Sequence, residues 1–209
     1  MLSFKRNCRI IGRIIIGHLK YILCFVLLFC LWSPIDSLAE KADVLMYIVG
    51  SDMETAYASA TNDLYEVLHI SEAYPNKQIF AFLCGSKTWW LPQINGDSCY
   101  LIRINAGKFD VLCDYGPQNG TTYEQLSAFI ASYGEDGSDL IFWGHGLPGI
   151  SGIGYDQNNR QDSLSLYEIH EALASAGIRF RMIGFDACRM ASIQAVLVIK
   201  QNADFFALQ

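Results

Sequence analysis

Val44-Leu45-Met46-Tyr47-Ile48-Val49 is an almost continuously apolar run that ends at Gly50. An uninterrupted apolar run of this length is typical of a β-strand buried on both faces, as strands are in parallel sheets. Similar runs occupy residues 79–83, 139–143, 180–185 and 204–208, and helical patterns occupy 54–73, 122–133, 165–176 and 190–200. This alternation predicts an α/β fold, a three-layer sandwich with a mostly parallel central sheet flanked by helices.

Residues 86–120 interrupt the alternation. Short pieces in which polar and apolar residues alternate, such as 98–104, lie there between glycine-containing breaks. They predict a small antiparallel β-hairpin excursion at one edge of the sheet. Residues 144–162 are rich in glycine, and we expect them to form a loop.

The composition limits the class of protein. The chain has 209 residues, of which 52% are hydrophobic, and this suits one α/β domain with a core of its own. The formal net charge is −6 at pH 7. Nucleic acid is therefore not an expected partner, because phosphate binding requires clustered Lys and Arg.

The first 39 residues have the pattern of a signal peptide. Several Lys and Arg residues precede an apolar run at 21–32, Pro34 ends the run, and Ser37-Leu38-Ala39 supplies small residues before a predicted cleavage site. The run is shorter than the roughly 20 apolar residues of a membrane-spanning helix, although an uncleaved membrane anchor is the alternative. We predict a signal peptide at 1–39, a mature domain at 40–209 and export, with the protein secreted, periplasmic or attached to the cell envelope.

Four cysteines remain in the predicted mature chain: Cys84, Cys99, Cys113 and Cys188. The sequence has no C-x-x-C pair, so neither a structural zinc site nor a thioredoxin-like redox site is expected. An exported protein can form disulfides, and Cys99 with Cys113 is the pair to test.

His145 and Cys188 follow two successive predicted strands. In an open parallel sheet, ligands bind beyond the carboxyl ends of the strands, so neighbouring loops can bring these two side chains together. A thiolate is a strong nucleophile, and a helix predicted directly after Cys188 would favour it, as would the His145 imidazolium. His145 would serve as general acid and base, and the backbone amides of Gly146 and Cys188 are candidates for an oxyanion hole.

Three segments of the chain resemble the hallmark blocks of the clostripain family of cysteine peptidases. These blocks are Tyr47-Ile48-Val49-Gly50-Ser51-Asp52-Met53-Glu54, Leu140-Ile141-Phe142-Trp143-Gly144-His145-Gly146 and Ile183-Gly184-Phe185-Asp186-Ala187-Cys188-Arg189-Met190-Ala191. The last two also resemble the wider group of caspases, gingipains and legumains. The resemblance implies a caspase-like fold and cleavage of peptide bonds after Arg or Lys, with His145 and Cys188 as the catalytic pair.

The resemblance also implies roles for residues outside this pair. Asp186 matches an acidic residue at the base of the pocket for the basic side chain, with helix capping as the alternative. Some family members are cut in the loop after the catalytic His, where Arg160 is the only basic residue of 156–162. Self-cleavage after Arg160 is one interpretation, and an ordinary surface loop is the other. The chemistry requires no cofactor, but calcium is possible because the type member depends on it.

Asp52 and Glu54 follow the first strand and face the same edge of the sheet. They can contact substrate or calcium there, but capping of the next helix is the simpler interpretation. An enzyme domain seldom ends within a strand, so the run at 204–208 predicts that the peptidase domain is C-terminally incomplete. The resemblance places a further strand and a second acidic wall of the pocket beyond Gln209.

Two rival functions remain. One is a catalytically impaired or truncated peptidase homologue that binds a peptide or a partner protein. The other is a serine hydrolase of the α/β class, which requires a G-x-S-x-G turn between strand and helix; the sequence contains none. The predicted function is therefore a cysteine endopeptidase acting on peptide or protein substrates.

Overall fold

A seven-stranded sheet forms the centre of the structure, which is a computed structural model describing residues 41–209. The predicted signal peptide lies outside the described residues. The strands in chain order are β1 Val44–Val49, β2 Ile79–Cys84, β3 Tyr100–Asn105, β4 Lys108–Asp114, β5 Asp139–Trp143, β6 His145–Gly146, β7 Ile153–Asp156, β8 Asp162–Leu164, β9 Phe180–Asp186 and β10 Ala203–Leu208. The helices are α1 Ser51–Tyr57, α2 Ser59–Ala73, α3 Tyr123–Tyr133, α4 Leu166–Ala176 and α5 Ile193–Ile199.

The order of strands in the main sheet is β10-β9-β5-β1-β2-β3-β4. The first five of these strands run parallel, and β3 and β4 add an antiparallel hairpin at one edge. All five predicted strands and the edge hairpin are therefore confirmed. Parallel pairing brings the carboxyl ends of β9, β5 and β1 next to one another at one edge of the sheet.

Helices cover both faces of the sheet. Leu126, Ile169 and Ile199 from α3, α4 and α5 belong to one buried apolar cluster, and Leu64 of α2 belongs to the other, together with Trp89. The strands supply apolar side chains to both clusters, as expected of strands buried on both faces. The predicted three-layer sandwich is confirmed. No helix within residues 41–209 is long and apolar enough to cross a membrane.

The predicted helix at 54–73 is interrupted. α1 ends at Tyr57, the following Ala58 has a left-handed φ of 55°, and α2 begins at Ser59. The carboxylate of Glu54 is fully buried and accepts hydrogen bonds from the backbone N–H and hydroxyl of Thr61 and from the backbone N–H of Trp90. A buried charge needs such partners, and these bonds join α1 to the first turn of α2. Glu54 therefore caps α2, the helix after its own.

The predicted helix at 190–200 begins later than expected, at Ile193. The Ser192 side chain accepts a hydrogen bond from the backbone N–H of Ala195, a typical N-cap. The backbone N–H groups of Met190 and Ala191 both donate to the carbonyl of Gln209 and take no part in the helix. Cys188 consequently lies in a turn and not at the start of a helix.

The glycine-rich segment at 144–162 is more ordered than the sequence predicted. It contains β6 and β7, which form a three-stranded antiparallel sheet with β8. Strands of two to four residues are too short to show a clear alternation of polar and apolar residues.

The thiols of Cys84, Cys99, Cys113 and Cys188 are all free. The pair that the sequence offered for testing, Cys99 with Cys113, is not joined, because Cys113 lies opposite Leu101 in the β3–β4 hairpin and Cys99 bonds to Tyr115 through its backbone. The Cys99 thiol instead lies beside that of Cys84.

Candidate active site

His145 and Cys188 lie at corresponding positions after two paired strands. In the register of β5 and β9, Trp143 is the partner of Asp186, and the backbone N–H of Gly144 continues the contact by donating to the Asp186 carbonyl. His145 and Cys188 each follow this pair by two residues. The structure therefore brings the predicted catalytic residues to the same point of the sheet edge.

Gly146 packs directly against Cys188. A Cβ atom on Gly146 would lie 1.5 Å from the carbonyl oxygen of Cys188 and 3.0 Å from its backbone nitrogen, so only glycine fits. The backbone N–H of Leu147 donates to Gly152 across the small sheet. Because hydrogen-bonded and non-bonded pairs alternate in an antiparallel ladder, Gly146 is not bonded to its partner Ile153, and its N–H points away from β7.

The His145 side chain is held by Asp52. Its Nε2 atom lies 2.7 Å from Oδ1 of Asp52, and the two side chains are 36% and 52% exposed. The hydrogen bond from His145 is the main cause that lowers the pKa of Asp52. The ring of Tyr155 also contacts the imidazole, edge to face, with 5.8 Å between centroids. Asp52 thus contacts the predicted catalytic His and does not cap a helix.

Cys188 has an exposed side chain in the turn after β9. The next residue, Arg189, has a left-handed φ of 66°, and α5 begins only at Ile193. The expectation that a helix N-terminus activates the thiol is therefore wrong, since the helix dipole acts only within about the first turn. His145 is the remaining candidate for activating Cys188.

Asp186 ends β9 on the face of the sheet opposite the helices α3 to α5. Asp186 is an exposed residue, but partial burial of its carboxyl group, and then the negative charge of Asp63 on α2, raise its pKa. Asp63 accepts a hydrogen bond of 2.7 Å from the indole N–H of Trp143. No Lys or Arg among residues 41–209 forms an ion pair with Asp186.

Asp186 also lines a surface depression of about 260 Å³. Its other lining residues are Ile141, Gly184, Phe185, Ala207, Leu208 and Gln209. A carboxylate at an otherwise largely apolar depression suits a ligand with an apolar stem and a cationic end.

Arg160 is the exposed tip of a tightly anchored loop. Arg160 and Gln161 have φ angles of 59° and 63°. On one side of them, the buried carboxylate of Asp156 accepts a hydrogen bond from the backbone N–H of Gly120, and on the other side the carboxylate of Asp162 accepts one from the side-chain amide of Asn119. Both flanks of the loop are therefore fixed to the domain while Arg160 itself is exposed.

Over the described part of the chain, no three His, Cys, Asp or Glu side chains are close enough to hold a metal ion. The described residues thus offer no ready acidic cluster for the calcium that the resemblance allows.

Comparison with known sequences places the chain in a family. The sequence model of the clostripain family matches residues 46–208. The protein therefore belongs to the clostripain family, and the predicted resemblance is confirmed. No match was found among curated proteins.

Two solved structures of secreted C11 cysteine proteases from Bacteroides thetaiotaomicron share the fold. One, in complex with an irreversible peptide inhibitor, is 24% identical with a TM-score of 0.60, and the match covers 80% of this chain and 48% of that one. The other, called iotapain, is 18% identical with a TM-score of 0.61, and the match covers 80% and 51%. The chain thus spans about half the length of these relatives.

The sequence placed Asp52 at this edge of the sheet but did not reveal its contact with His145, and it did not single out Asp63 at all. The partners of both residues depend on the order of strands in the sheet. Once β1 is known to lie beside β5, the residues after the two strands become neighbours, and Asp52 can be matched with His145.

Proposed function

We propose that the protein is a cysteine endopeptidase that hydrolyses peptide bonds after Arg or Lys. The observation that carries this proposal is the position of His145 and Cys188 at the carboxyl ends of two paired strands, β5 and β9. Membership of the clostripain family supports the same chemistry. Peptides or proteins are the proposed substrates.

In the proposed reaction, the thiolate of Cys188 attacks the carbonyl carbon of the scissile peptide bond. The negative charge that develops on the carbonyl oxygen is stabilised by the backbone N–H groups of Gly146 and Cys188. His145 then gives a proton to the leaving amine, and an acyl-enzyme thioester remains. Water, deprotonated by His145, attacks the thioester and releases the carboxylic acid and the thiol.

Asp186 is the proposed determinant for the basic side chain of the substrate. Its pKa is raised by partial burial and by the charge of Asp63, so a bound guanidinium or ammonium would stabilise its ionised form. The apolar lining contributed by Ile141 and Leu208 suits the methylene stem of Arg or Lys.

Replacing Asp186 with Asn is expected to remove the preference for basic residues. The amide has nearly the same shape but no charge, so kcat/KM for Arg- and Lys-terminated fluorogenic peptides should fall about 100-fold, as for other charged pairs that lose one partner. A peptide ending in citrulline, which is uncharged, should be affected much less. Asp110→Asn, which disrupts the exposed ion pair with Arg103, is the matched control. An equal loss on all peptides would show that Asp186 does not select the charge.

The proposed enzyme processes itself after Arg160. Arg160→Ala is expected to abolish a cut between Arg160 and Gln161, which mass spectrometry of the purified chain would detect. Because Asp156 and Asp162 anchor the two flanks to Gly120 and Asn119, the cut protein should stay together during gel filtration and separate only on denaturing gels. Continued cutting at this bond in Arg160→Ala would contradict self-processing. So would cutting in purified Cys188→Ala with no unmodified protein present.

We also propose that the chain is exported through its N-terminal segment. Both structural relatives are described as secreted, which supports this proposal. The proposed chemistry requires no cofactor. A calcium requirement would be tested by assaying the purified protein with and without calcium.

A further inference from the structure

Three chemically active side chains follow three adjacent strands. In the order β9, β5 and β1, the residues at the carboxyl edge are Cys188, His145 and Asp52. His145 lies in the middle, with its Nε2 atom 2.7 Å from Asp52 and its strand paired to the strand that carries Cys188. We propose that Asp52 is a positioning residue that fixes the tautomer of His145 and leaves Nδ1 free for proton transfer. This inference rests on the proposed function.

The tautomer follows from the state of the carboxyl group. The hydrogen bond from His145 lowers the pKa of Asp52, so this group is an ionised carboxylate at neutral pH. A carboxylate only accepts hydrogen bonds, and Nε2 must therefore carry the proton it donates. In a neutral imidazole the other nitrogen is then the acceptor. Nδ1 is thus left to exchange protons with Cys188 and the leaving amine.

Asp52 is held rigidly enough to do this. It lies in the first turn of α1, directly after Ser51, whose φ of 53° is unusual for a residue other than glycine. Two residues later, the buried Glu54 fixes α1 to α2 and to Trp90. The backbone N–H of Gly50 donates to the carbonyl of Cys84, which anchors the start of the helix to β2.

A purely structural role for the Asp52–His145 pair would lead to a different result. Exposed ion pairs contribute little to stability. If the pair were only structural, replacing Asp52 could still change the imidazole tautomer, but it would not lower kcat selectively. Asp204 offers a matched comparison, because it pairs with Arg179 at 2.6 Å and its side chain is 51% exposed, against 52% for Asp52.

Asp52→Asn and Asp204→Asn in the full chain test the proposal, with ¹⁵N NMR of the His145 ring as the first readout. The ring should be in the Nε2–H form in the unmodified protein and in Asp204→Asn. In Asp52→Asn the amide can donate to Nε2, so the Nδ1–H form should increase. An unchanged tautomer in Asp52→Asn overturns the proposal. This readout does not depend on turnover, so it holds even if the chain does not cleave peptides.

Kinetics provide the second readout. In Asp52→Asn we expect kcat to fall about 100-fold with little change in KM, the usual size of a general acid–base contribution. The rate at which iodoacetamide alkylates Cys188, followed by mass spectrometry, should fall as well, whereas Asp52→Glu should recover part of the rate. Equal kcat values for Asp52→Asn and Asp204→Asn would overturn the proposal. Full activity in His145→Ala or Cys188→Ala would instead overturn the proposed function.

Discussion

Cys188→Ala is expected to abolish peptide hydrolysis by the chain. The substitution removes the sulfur that attacks the peptide carbonyl and leaves no other nucleophile at that position. Loss of the nucleophile in a comparable catalytic unit lowers kcat by roughly 10⁴-fold or more, with only binding and oxyanion stabilisation remaining. The measurement is the rate of release of a fluorophore from an Arg-terminated peptide, at equal concentrations of variant and unmodified protein.

Cys113→Ala is the matched control, since it removes a free thiol from β4, the outermost strand on the side of the sheet away from β9. Its activity should equal that of the unmodified chain. Because the Cys188 side chain is exposed, its removal creates no cavity, and the thermal unfolding of Cys188→Ala should be unchanged. Equal hydrolysis by the two variants would exclude Cys188 as the nucleophile.

Gly146→Ala is expected to have the second largest effect. The new methyl carbon would lie only 1.5 Å from the carbonyl oxygen of Cys188. The backbone around residue 146 or around residue 188 must therefore shift. Overpacking of this kind costs about 1–3 kcal/mol of folding free energy. Displacing an oxyanion donor lowers kcat by about 10²- to 10³-fold. Urea denaturation and the same peptide assay measure the two effects.

Gly137→Ala separates this steric effect from the conformational cost of replacing a glycine. Gly137 has a φ of 89°, and no atom lies within 4 Å of the position that a new methyl group would take, so its replacement strains the backbone without a collision. We expect a loss of about 1 kcal/mol in stability and an unchanged kcat. If Gly146→Ala matched Gly137→Ala in kcat, the close approach of Gly146 to Cys188 would have no catalytic role.

The sequence predicted the parts of the fold that depend on local pattern. The apolar run at 44–49 is buried as β1 because a strand with apolar side chains on both faces is stable only when both faces are covered. Helix α3 begins after Thr122, whose hydroxyl accepts a hydrogen bond from the backbone of Gln125, as an N-cap residue should. These features need information from only a few neighbouring residues.

The features that the sequence did not predict depend on distant partners. The break at Ala58 follows from the contact of Glu54 with Thr61 and with Trp90, and the late start of α5 involves the carbonyl of Gln209. The contact of Asp52 with His145 joins residues 93 positions apart. The position of β1 beside β5, on which that contact depends, is a property of the whole sheet.

The placement of Asp52, His145 and Cys188 after β1, β5 and β9 has a consequence for the timing of activity during synthesis and folding. Each strand alone carries one inert side chain, and these meet only when all three strands are paired. Pairing of strands so far apart in sequence is slow, because the intervening loops must close first. An unfolded chain would therefore carry a cysteine without an assembled proton donor. In the proposed mechanism, completion of the central sheet would bring the nucleophile and its proton donor together, and activity would appear only with the folded domain.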